Sequence, residues 1–185
     1  NFSAGKKDNL KSIIKDIKII KGDLLDKKKL QQAVSKQDMI FHLGANASVP
    51  VSSDRPAYDF HNTCASTFNV LNAGFEDNID SIVFTSSGAV YGDPQKFPIE
   101  ETDCIKPISI YGASKAASEA YCMAFFSSFG LSIKIARIFN TYGPRQPRFV
   151  MFDFYKKLRK KPKSLEILGS GNQMRDFCYV LDTVK

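Results

Sequence analysis

A tyrosine and a lysine four residues apart are the part of this sequence best suited to proton chemistry. Tyr111 and Lys115 stand in the stretch Tyr-Gly-Ala-Ser-Lys, and residues with this spacing lie one turn apart on the same face of a helix. A nearby ammonium group favours the ionised form of a phenol and lowers its pKa. The pair therefore predicts a tyrosine that is acidic near neutral pH and can transfer a proton.

A serine stands upstream of this pair, where an apolar strand is predicted to run out into a turn. Ser87 follows the strand pattern at 81–85 and precedes Gly88-Ala89-Val90-Tyr91-Gly92. In α/β folds, the carboxyl ends of the strands are where binding and catalytic sites form. Ser87 is therefore the third candidate catalytic residue.

Strand and helix patterns alternate along the chain, which contains no internal repeat or low-complexity linker. The spacing of apolar residues predicts strands at 16–21, 39–43, 81–85 and 132–138, and helices at 26–35, 56–76 and 111–129. The strand at 39–43 does not alternate, which predicts burial on both faces. This order predicts an α/β fold with a Rossmann-like, doubly wound parallel sheet.

The pattern changes after Pro144. A helix near 152–160 and a short strand at 165–168 predict the start of a smaller and less regular substrate lobe. The expected domains are thus 1–144, a partial dinucleotide-binding domain, and 145–185, the beginning of that lobe.

Composition excludes several classes of protein. The formal charge of +7, from 26 basic and 19 acidic side chains, suits a phosphorylated ligand, and without a nucleic-acid-binding motif we expect no nucleic-acid partner. No apolar run is long enough for a membrane span, and no signal peptide is visible. The four cysteines have neither zinc spacing nor a disulfide framework. These features predict a cytoplasmic protein without a metal.

Four segments in order resemble the extended short-chain dehydrogenase/reductase family. They are Ser87, the Tyr111-x-x-x-Lys115 pair, the segment Arg137-Ile-Phe-Asn-Thr-Tyr-Gly-Pro-Arg145, and the segment Gly171-Asn-Gln-Met-Arg-Asp-Phe-Cys-Tyr-Val-Leu-Asp182. The resemblance covers essentially the whole chain, and it is strongest to NAD-dependent nucleotide-sugar epimerases and dehydratases of the UDP-glucose 4-epimerase type. No G-x-G-x-x-G loop is present, so we expect this chain to be a fragment that begins after the second strand, without the first strand and the glycine loop.

The resemblance implies a role for each catalytic candidate. Tyr111 matches the family's catalytic base. Lys115 matches the lysine that lowers the pKa of this base and holds the nicotinamide ribose. Ser87 matches the hydroxyl that hydrogen-bonds the reacting sugar oxygen. A lone Tyr-x-x-x-Lys would more often be an ordinary helix start, and the serine upstream makes that alternative weaker.

The resemblance also implies NAD as the cofactor. Asp23 matches the acid that accepts a hydrogen bond from the adenine amine, although a helix cap is an alternative for this residue and both could hold. Asn62 matches an asparagine near the cofactor, with a surface amide as the alternative. The other matching positions are Asn1, Ser3, Leu24, Leu43, Gly44, Ala45 and Phe139, together with Tyr111 and Lys115.

Two residues match the family's contacts with the diphosphate of a sugar nucleotide, and a UDP-sugar is the expected substrate. They are Asn140 and Arg175, which join Ser87 and Tyr111 as candidate substrate-binding residues. A guanidinium group forms paired hydrogen bonds with phosphate oxygens. The alternative for Arg175 is a surface ion pair with its neighbour Asp176.

The residues after Ser87 bear on the type of reaction. Dehydrating and decarboxylating members of the family usually carry an acid here, whereas this chain has Gly88 and Ala89. Elimination of water then lacks a proton donor, while reversible oxidation needs only a base and a hydride acceptor. We therefore expect epimerisation through a keto sugar, at carbon C4. The alternatives are a dehydratase, a decarboxylase, an oxidoreductase, or a non-catalytic NAD-binding or nucleic-acid-binding relative.

The predicted helices at 56–76 and 111–129 carry small and apolar residues on more than one face. Examples are Ala116, Ala120, Met123 and Ala124. Relatives in the family pair such helices between subunits, so a homodimer is expected. A helix buried within one subunit would show the same pattern.

Overall fold

The computed structural model describes residue 2, residues 5–147 and residues 149–185. The chain divides into two compact units, Asn1–Arg137 and Ile138–Lys185. The candidates Asn1 and Ser3 lie outside the described residues. The lobe boundary after residue 144 stays a prediction.

The N-terminal unit is built on a parallel sheet of three described strands. They are β1 (Met39–His42), β2 (Ser81–Ser87) and β3 (Ser132–Ile138), in the order β1-β2-β3. β1 and β2 pair in parallel, with Met39 opposite Ser81 and His42 opposite Phe84. The sheet and its flanking helices confirm the predicted α/β, Rossmann-like class.

Helices connect these strands, and local capping sets their ends. They are α1 (Lys27–Val34), α2 (Val49–Asp54), α3 (Pro56–Phe60), α4 (Ser66–Glu76) and α5 (Ile110–Phe129). The Asp26 side chain accepts a hydrogen bond from the Lys29 amide at the start of α1. Gly130 ends α5 with a φ of 72°, a left-handed conformation that glycine adopts without the cost of a Cβ atom.

The predicted helix at 56–76 is present but contains an irregular turn. A π-helical turn, His61–Ala65, separates α3 from α4. Such turns widen the helix locally and often occur at functional sites. Here the turn directs the side chains of Thr63 and Cys64 into the interior.

The core of this unit lies between the sheet and the helices α1, α4 and α5. Its buried residues include Leu30, Leu71, Ile82, Phe84 and Phe125. Because β2 is the central strand, its residues alternate between buried and partly buried positions along its length. The core therefore holds the carboxyl end of β2 in a fixed position below the helices.

Two sequence predictions for the edge of this sheet are wrong. The predicted strand at 16–21 is not a strand, because an extended segment becomes a strand only when its backbone pairs with a neighbour. β1 is not buried on both faces, since Phe41 is 66% exposed. β1 is the edge strand of the described sheet, so no described strand pairs with its outer edge.

The C-terminal unit is a small two-stranded parallel sheet with two helices. Its elements are β4 (Asn140–Tyr142), α6 (Val150–Lys160), β5 (Phe177–Tyr179) and α7 (Val180–Thr183). The predicted helix near 152–160 is present as α6. The predicted strand at 165–168 is wrong: these residues form no ladder, and β4 instead pairs with β5, with Asn140 opposite Phe177. None of the described helices has the length and apolarity that a membrane span needs.

Candidate active site

The carboxyl end of β2 places Ser87 at the start of a short turn. The strand ends at Ser87, and a 3₁₀ turn, Gly88–Tyr91, follows at once. The Ser87 Oγ atom accepts a hydrogen bond from the Ala89 amide at 3.2 Å. This capping bond fixes the turn relative to the strand, so the serine hydroxyl lies at the predicted strand end.

Tyr111 lies in the first turn of α5, where two hydrogen bonds anchor the helix. The Ser109 hydroxyl caps the helix by accepting a bond from the Gly112 amide at 3.0 Å. The Tyr111 amide donates to the hydroxyl of the fully buried Ser52 at 3.2 Å. The Ser87 side chain also lies close enough to the Tyr111 phenol to act on it, and this interaction lowers the pKa of the phenol. The structure therefore brings together the serine and the tyrosine that the sequence analysis singled out.

The first turn of α5 packs closely against the turn after Ser87. A Cβ atom on Gly112 would lie 2.6 Å from the Ala89 carbonyl oxygen, a separation that Cβ atoms essentially never show. Glycine is therefore required at this position for the helix start to approach the turn. This close approach sets the distance between Tyr111 and Ser87.

The pKa of Tyr111 is raised in this structure. Burial raises it most, the interaction with the Ser87 side chain lowers it, and the negative charge of Asp59 raises it. The expectation that Lys115 makes the phenol acidic does not hold here, because the sequence did not reveal that the phenol is buried and lies near Asp59. Burial disfavours the phenolate.

Lys115 is buried, with 3% of its surface exposed, and its ammonium group lies at the end of β2. The Nζ atom donates to the Thr85 carbonyl oxygen at 2.7 Å and lies 4.9 Å from the centre of the Phe84 ring. Burial lowers the pKa of Lys115 to about 8, while electrostatic interactions with Asp59, Cys122 and Glu119 raise this pKa. The group can therefore gain and lose a proton close to neutral pH.

A buried polar chain extends from this lysine to β1. The Thr85 hydroxyl donates to the His42 carbonyl oxygen at 3.0 Å. The His42 Nε2 atom lies 3.0 Å from the Thr67 hydroxyl, which itself donates to the Thr63 carbonyl. Burial lowers the pKa of His42 to about 4, as does the charge of Lys115. His42 is thus a neutral imidazole that donates from Nε2 at neutral pH.

Most of the predicted cofactor residues surround one cavity in the N-terminal unit. Its volume is about 660 Å³, and it is lined by residues of β1, α1 and the segment before α1. The predicted residues that line it are Asp23, Leu24, Leu43, Gly44, Ala45 and Asn62. A Cβ atom on Gly44 would lie 2.6 Å from the Leu24 Cδ1 atom, so glycine lets the two segments meet.

The two polar cofactor candidates at this cavity also have local structural roles. The Asp23 Oδ1 atom accepts a hydrogen bond from the Leu25 amide at 3.0 Å, which closes a turn, while Asp26 is the residue that caps α1. The Asn62 side chain donates to the Tyr58 carbonyl at 2.9 Å. Both residues therefore combine a local hydrogen bond with a position beside the cavity.

The remaining candidates lie in the C-terminal unit, around a second cavity of about 1100 Å³. Phe139, Asn140 and Arg175 all line it. The Asn140 side chain donates to the Asp176 carbonyl at 3.0 Å, and the exposed Arg175 guanidinium donates to the Met174 carbonyl at 2.7 Å. The pairing of β4 with β5 brings the two predicted diphosphate ligands together.

Sequence reasoning missed an ion pair behind Ser87 and a buried acid. Glu119 is 1% exposed and pairs with Arg137 at 2.9 Å, while the Ser86 hydroxyl donates to Glu119. The spacing of Tyr111, Lys115 and Glu119, each four residues apart, could have indicated that all three share a helical face. No sequence signal pointed to Asp59. Within the described ranges, no group of three or more His, Cys, Asp or Glu residues is placed to hold a metal ion.

Residues 2–185 match the model of the NAD dependent epimerase/dehydratase family. UDP-glucose 4-epimerase of Mycolicibacterium smegmatis is 30% identical over 191 residues, covering 100% of this chain and 61% of that protein. The chain spans 43% to 61% of the length of the curated relatives it matches.

Solved structures give the same picture. UDP-N-acetylglucosamine 4-epimerase from Methanobrevibacter ruminantium M1, in complex with UDP-N-acetylmuramic acid, has a TM-score of 0.92 and 35% identity, covering 99% of this chain and 60% of that one. A dTDP-glucose 4,6-dehydratase from Streptomyces venezuelae with NAD bound has a TM-score of 0.91 and 27% identity, covering 97% and 56%.

Proposed function

We propose, from the premise that this chain belongs to the NAD-dependent epimerase/dehydratase family, that it carries the proton-transfer site of an enzyme that epimerises a nucleotide sugar. The substrate we favour is UDP-glucose with UDP-galactose, or their N-acetyl forms, and the carbon is C4. The observation that carries the proposal is the grouping of Ser87, Tyr111 and Lys115 at the carboxyl end of β2.

Tyr111 is the residue we assign to proton transfer. As a base it takes the proton of the sugar hydroxyl while the ring carbon is oxidised to a ketone, and as an acid it returns the proton after the ring has turned. The Ser87 hydroxyl, whose side chain interacts with the phenol, orients the sugar oxygen. Lys115 supplies a positive charge that favours the phenolate when it is formed.

The residues around the first cavity fit a dinucleotide. Asp23 offers a carboxylate for the adenine amine. Leu43, Gly44 and Ala45 line the cavity directly after β1, and Gly44 has no side chain that would keep a cofactor away from the backbone. We assign these residues, with Asn62 and Leu24, to holding NAD. Bound NAD supplies the reversible hydride acceptor that oxidation and re-reduction of the sugar carbon require.

The C-terminal unit supplies donors for a diphosphate. Arg175 offers a guanidinium group with an exposed side chain, and Asn140 an amide, both at the second cavity. Binding energy from the nucleotide diphosphate is remote from the reacting carbon, and it can be used to orient the sugar. We assign these two residues to the nucleotide portion of the substrate.

The absence of an acid at positions 88 and 89 favours epimerisation over dehydration. Elimination of water from a keto sugar needs a proton donor for the departing hydroxyl. Gly88 and Ala89 form the turn beside Ser87, where such a donor would act, and neither side chain titrates. The dehydratase and decarboxylase reactions of the family are therefore the second choice.

A homodimer is proposed from an apolar surface on α4 and α5, which we call the aromatic helix face. It consists of Phe68, Phe75, Tyr121, Phe126 and Phe129, all exposed. Two pairs of rings pack together within this face. The rings of Phe75 and Phe129 are tilted, with centroids 4.4 Å apart, and those of Phe68 and Tyr121 pack edge to face, with centroids 5.3 Å apart. Large exposed apolar patches mark interaction sites, and a second copy of the chain is the occupant we propose.

We propose a cytoplasmic location because the cysteines are not paired in disulfides. All four, Cys64, Cys104, Cys122 and Cys178, are free thiols. Disulfides form in oxidising compartments, whereas thiols persist in the reducing cytosol.

The function is tested with the complete reading frame, purified and incubated with NAD and UDP-glucose or UDP-N-acetylglucosamine. We expect conversion to the C4 epimer, followed by NMR of the sugar, without net formation of NADH. Tyr111→Phe should lower turnover by about 10²-fold to 10⁴-fold, whereas Tyr155→Phe, an exposed tyrosine of α6, should not change it. An unsaturated or deoxy keto sugar as the product would identify a dehydratase instead.

A further inference from the structure

Asp59 is a buried carboxylate to which the proposed proton transfer gives no role. It lies in α3 and is 0% exposed. Its Oδ1 atom accepts a hydrogen bond from Asn46 Nδ2 at 2.6 Å, while its Oδ2 atom is buried and has no hydrogen-bond partner among the described residues. Burying a carboxylate in this way costs free energy of folding unless a positive charge lies near it.

The buried charges of the N-terminal unit leave one partner for Asp59. In the described part of the chain, the buried Asp, Glu, Lys and Arg side chains are Asp59, Lys115 and Glu119. Glu119 is already paired, through both of its oxygens, with Arg137. Lys115 is therefore the buried cation that remains to balance Asp59.

The packing of the helices places α3, which carries Asp59, against α5, which carries Lys115. Helix α3 and the π-helical turn after it both pack against α5. The backbone N–H of Asn46 donates to the Thr63 hydroxyl in that turn at 3.3 Å. The Asn46 side chain donates to the Asp59 carboxylate. Asn46, in the segment after β1, thus holds the Asp59 carboxylate, and the helix that carries this carboxylate packs against α5.

We propose that Asp59 is a positioning residue for the Tyr111–Lys115 pair: its buried negative charge is the counter-charge that keeps the ammonium group of Lys115 charged at the carboxyl end of β2. The inference rests on the proposed function, since it assigns Asp59 a task only if Lys115 works as an ammonium group. Asp59 acts through Lys115 and needs no contact with the substrate.

The electrostatic effects agree with this assignment. Among the charges that oppose the burial of Lys115, Asp59 makes the largest contribution to raising the pKa of the lysine. The same negative charge raises the pKa of Tyr111. Asp59 therefore favours a protonated lysine beside a protonated tyrosine.

The other groups that face Lys115 do not replace Asp59. From α5 they are Glu119 and Cys122, from β1 His42, and from β2 the Thr85 carbonyl and the Phe84 ring. Burial raises the pKa of Cys122 to about 12 and lowers that of His42 to about 4, so both are neutral at pH 7. The charge of Glu119 is shared with Arg137.

Removal of the Asp59 charge has a defined sign. In Asp59→Asn the pKa of Lys115, which burial already lowers to about 8, falls further, by about one unit. The pKa of Tyr111 falls as well, because the charge that raised it is gone. Both limbs of a bell-shaped pH profile of turnover therefore move to lower pH.

The decisive measurement is the pKa of Lys115 itself, read from the ¹³Cε resonance in the lysine-labelled complete protein and assigned by its loss in Lys115→Arg. We expect Asp59→Asn to lower this pKa by about one unit. The matched control is Asp77→Asn, because Asp77 also has a buried Oδ2 atom without a partner among the described residues but directly follows α4 and precedes β2. A folded Asp59→Asn protein with an unchanged lysine pKa overturns the proposal.

Folding and function can be separated from this result. If Asp59→Asn does not fold, Asp59→Ser keeps an acceptor for Asn46 and gives the same reading; failure of both to fold overturns the proposal in favour of a structural role. The titration needs no turnover, so a protein without epimerase activity but with the expected shift refutes the proposed function alone. Where activity is present, the alkaline limb of the turnover profile should move with the lysine pKa.

Discussion

Arg137 binds both carboxylate oxygens of Glu119, and this pair ties β3 to α5 directly behind Ser87. The Arg137 Nη2 atom lies 2.9 Å from Oε2, and Nε lies 3.1 and 3.2 Å from the two oxygens. Its Nη1 atom donates to the Tyr91 hydroxyl at 2.6 Å. Ser86 donates to the same glutamate. The residue before Ser87 and the end of the turn after it are thus held by one ion pair.

Glu119→Gln should destabilise the protein by about 3 kcal/mol, because it leaves the Arg137 charge without its partner inside the protein. The measurement is urea unfolding followed by circular dichroism. Glu100→Gln is the control, since Glu100 forms an exposed ion pair with Lys96 at 3.0 Å, and such pairs contribute less than about 1 kcal/mol. Equal losses in the two variants would contradict a special role for the buried pair.

Gly112→Ala should lower both stability and turnover. Alanine gains about 1 kcal/mol of helix propensity over glycine, but its Cβ atom would lie 2.6 Å from the Ala89 carbonyl, and overpacking of this kind costs about 1–3 kcal/mol. The start of α5 must then move away from the turn after Ser87. Turnover of the nucleotide sugar and the unfolding midpoint are the two readings.

The control for this prediction is the next residue. Ala113→Gly changes an exposed position, so it lowers helix propensity by less than about 1 kcal/mol and leaves the contact between α5 and the turn intact. It should reduce stability slightly without a change in turnover. A Gly112→Ala protein as active as the wild type would show that the close approach is not needed.

Acid should destabilise the fold through His42. Its pKa is about 4 in the folded protein against 6.5 for the ordinary group, so as the pH falls the unfolded chain binds a proton first. The stability from this neutral imidazole is complete above pH 6.5 and is lost as the pH falls through 4, a change of about 3 kcal/mol.

His42→Gln should therefore flatten the dependence of unfolding free energy on pH between about 6.5 and 4. His61→Gln, a change at an exposed histidine, should leave the dependence as it is. The measurement is urea unfolding at a series of pH values. The same slope in His42→Gln and wild type would mean that other groups cause the acid sensitivity.

The aromatic helix face should mediate dimerisation. Phe126 and Phe129 are 60% and 53% exposed, and replacing both by glutamate places two negative charges in an apolar interface. We expect the dimer to dissociate to monomers in analytical ultracentrifugation. Met174→Glu, at an exposed residue of the C-terminal unit, should remain dimeric, and a wild-type monomer would refute the proposed assembly.

The α/β pattern was readable from sequence because helices and central strands carry their periodicity in neighbouring residues. The bounds of β2 and β3 and the end of α5 at Gly130 follow the predictions closely. The segment at 16–21 has the composition of a strand, but it has no paired neighbour in the described structure. Strand formation depends on a partner that local sequence does not reveal.

The candidate site also combines residues that local sequence could identify with residues that it could not. Ser87, Tyr111 and Lys115 could be singled out because their spacing along one strand end and one helix is local information. The pairing of Asn140 with the segment after Arg175 joins residues far apart in the chain. The resemblance to a family, rather than periodicity, pointed to those two.

The sequence by itself determined the class of the fold and the residue types available for proton transfer, because both depend on local spacing. Only the tertiary structure decided which charged groups lie around these residues. It buried Asp59 and Lys115, paired Glu119 with Arg137, and raised the pKa of Tyr111 where the spacing alone predicted a lower one. Burial and long-range charge are set by how distant segments pack, and they outweigh the effect of one nearby lysine.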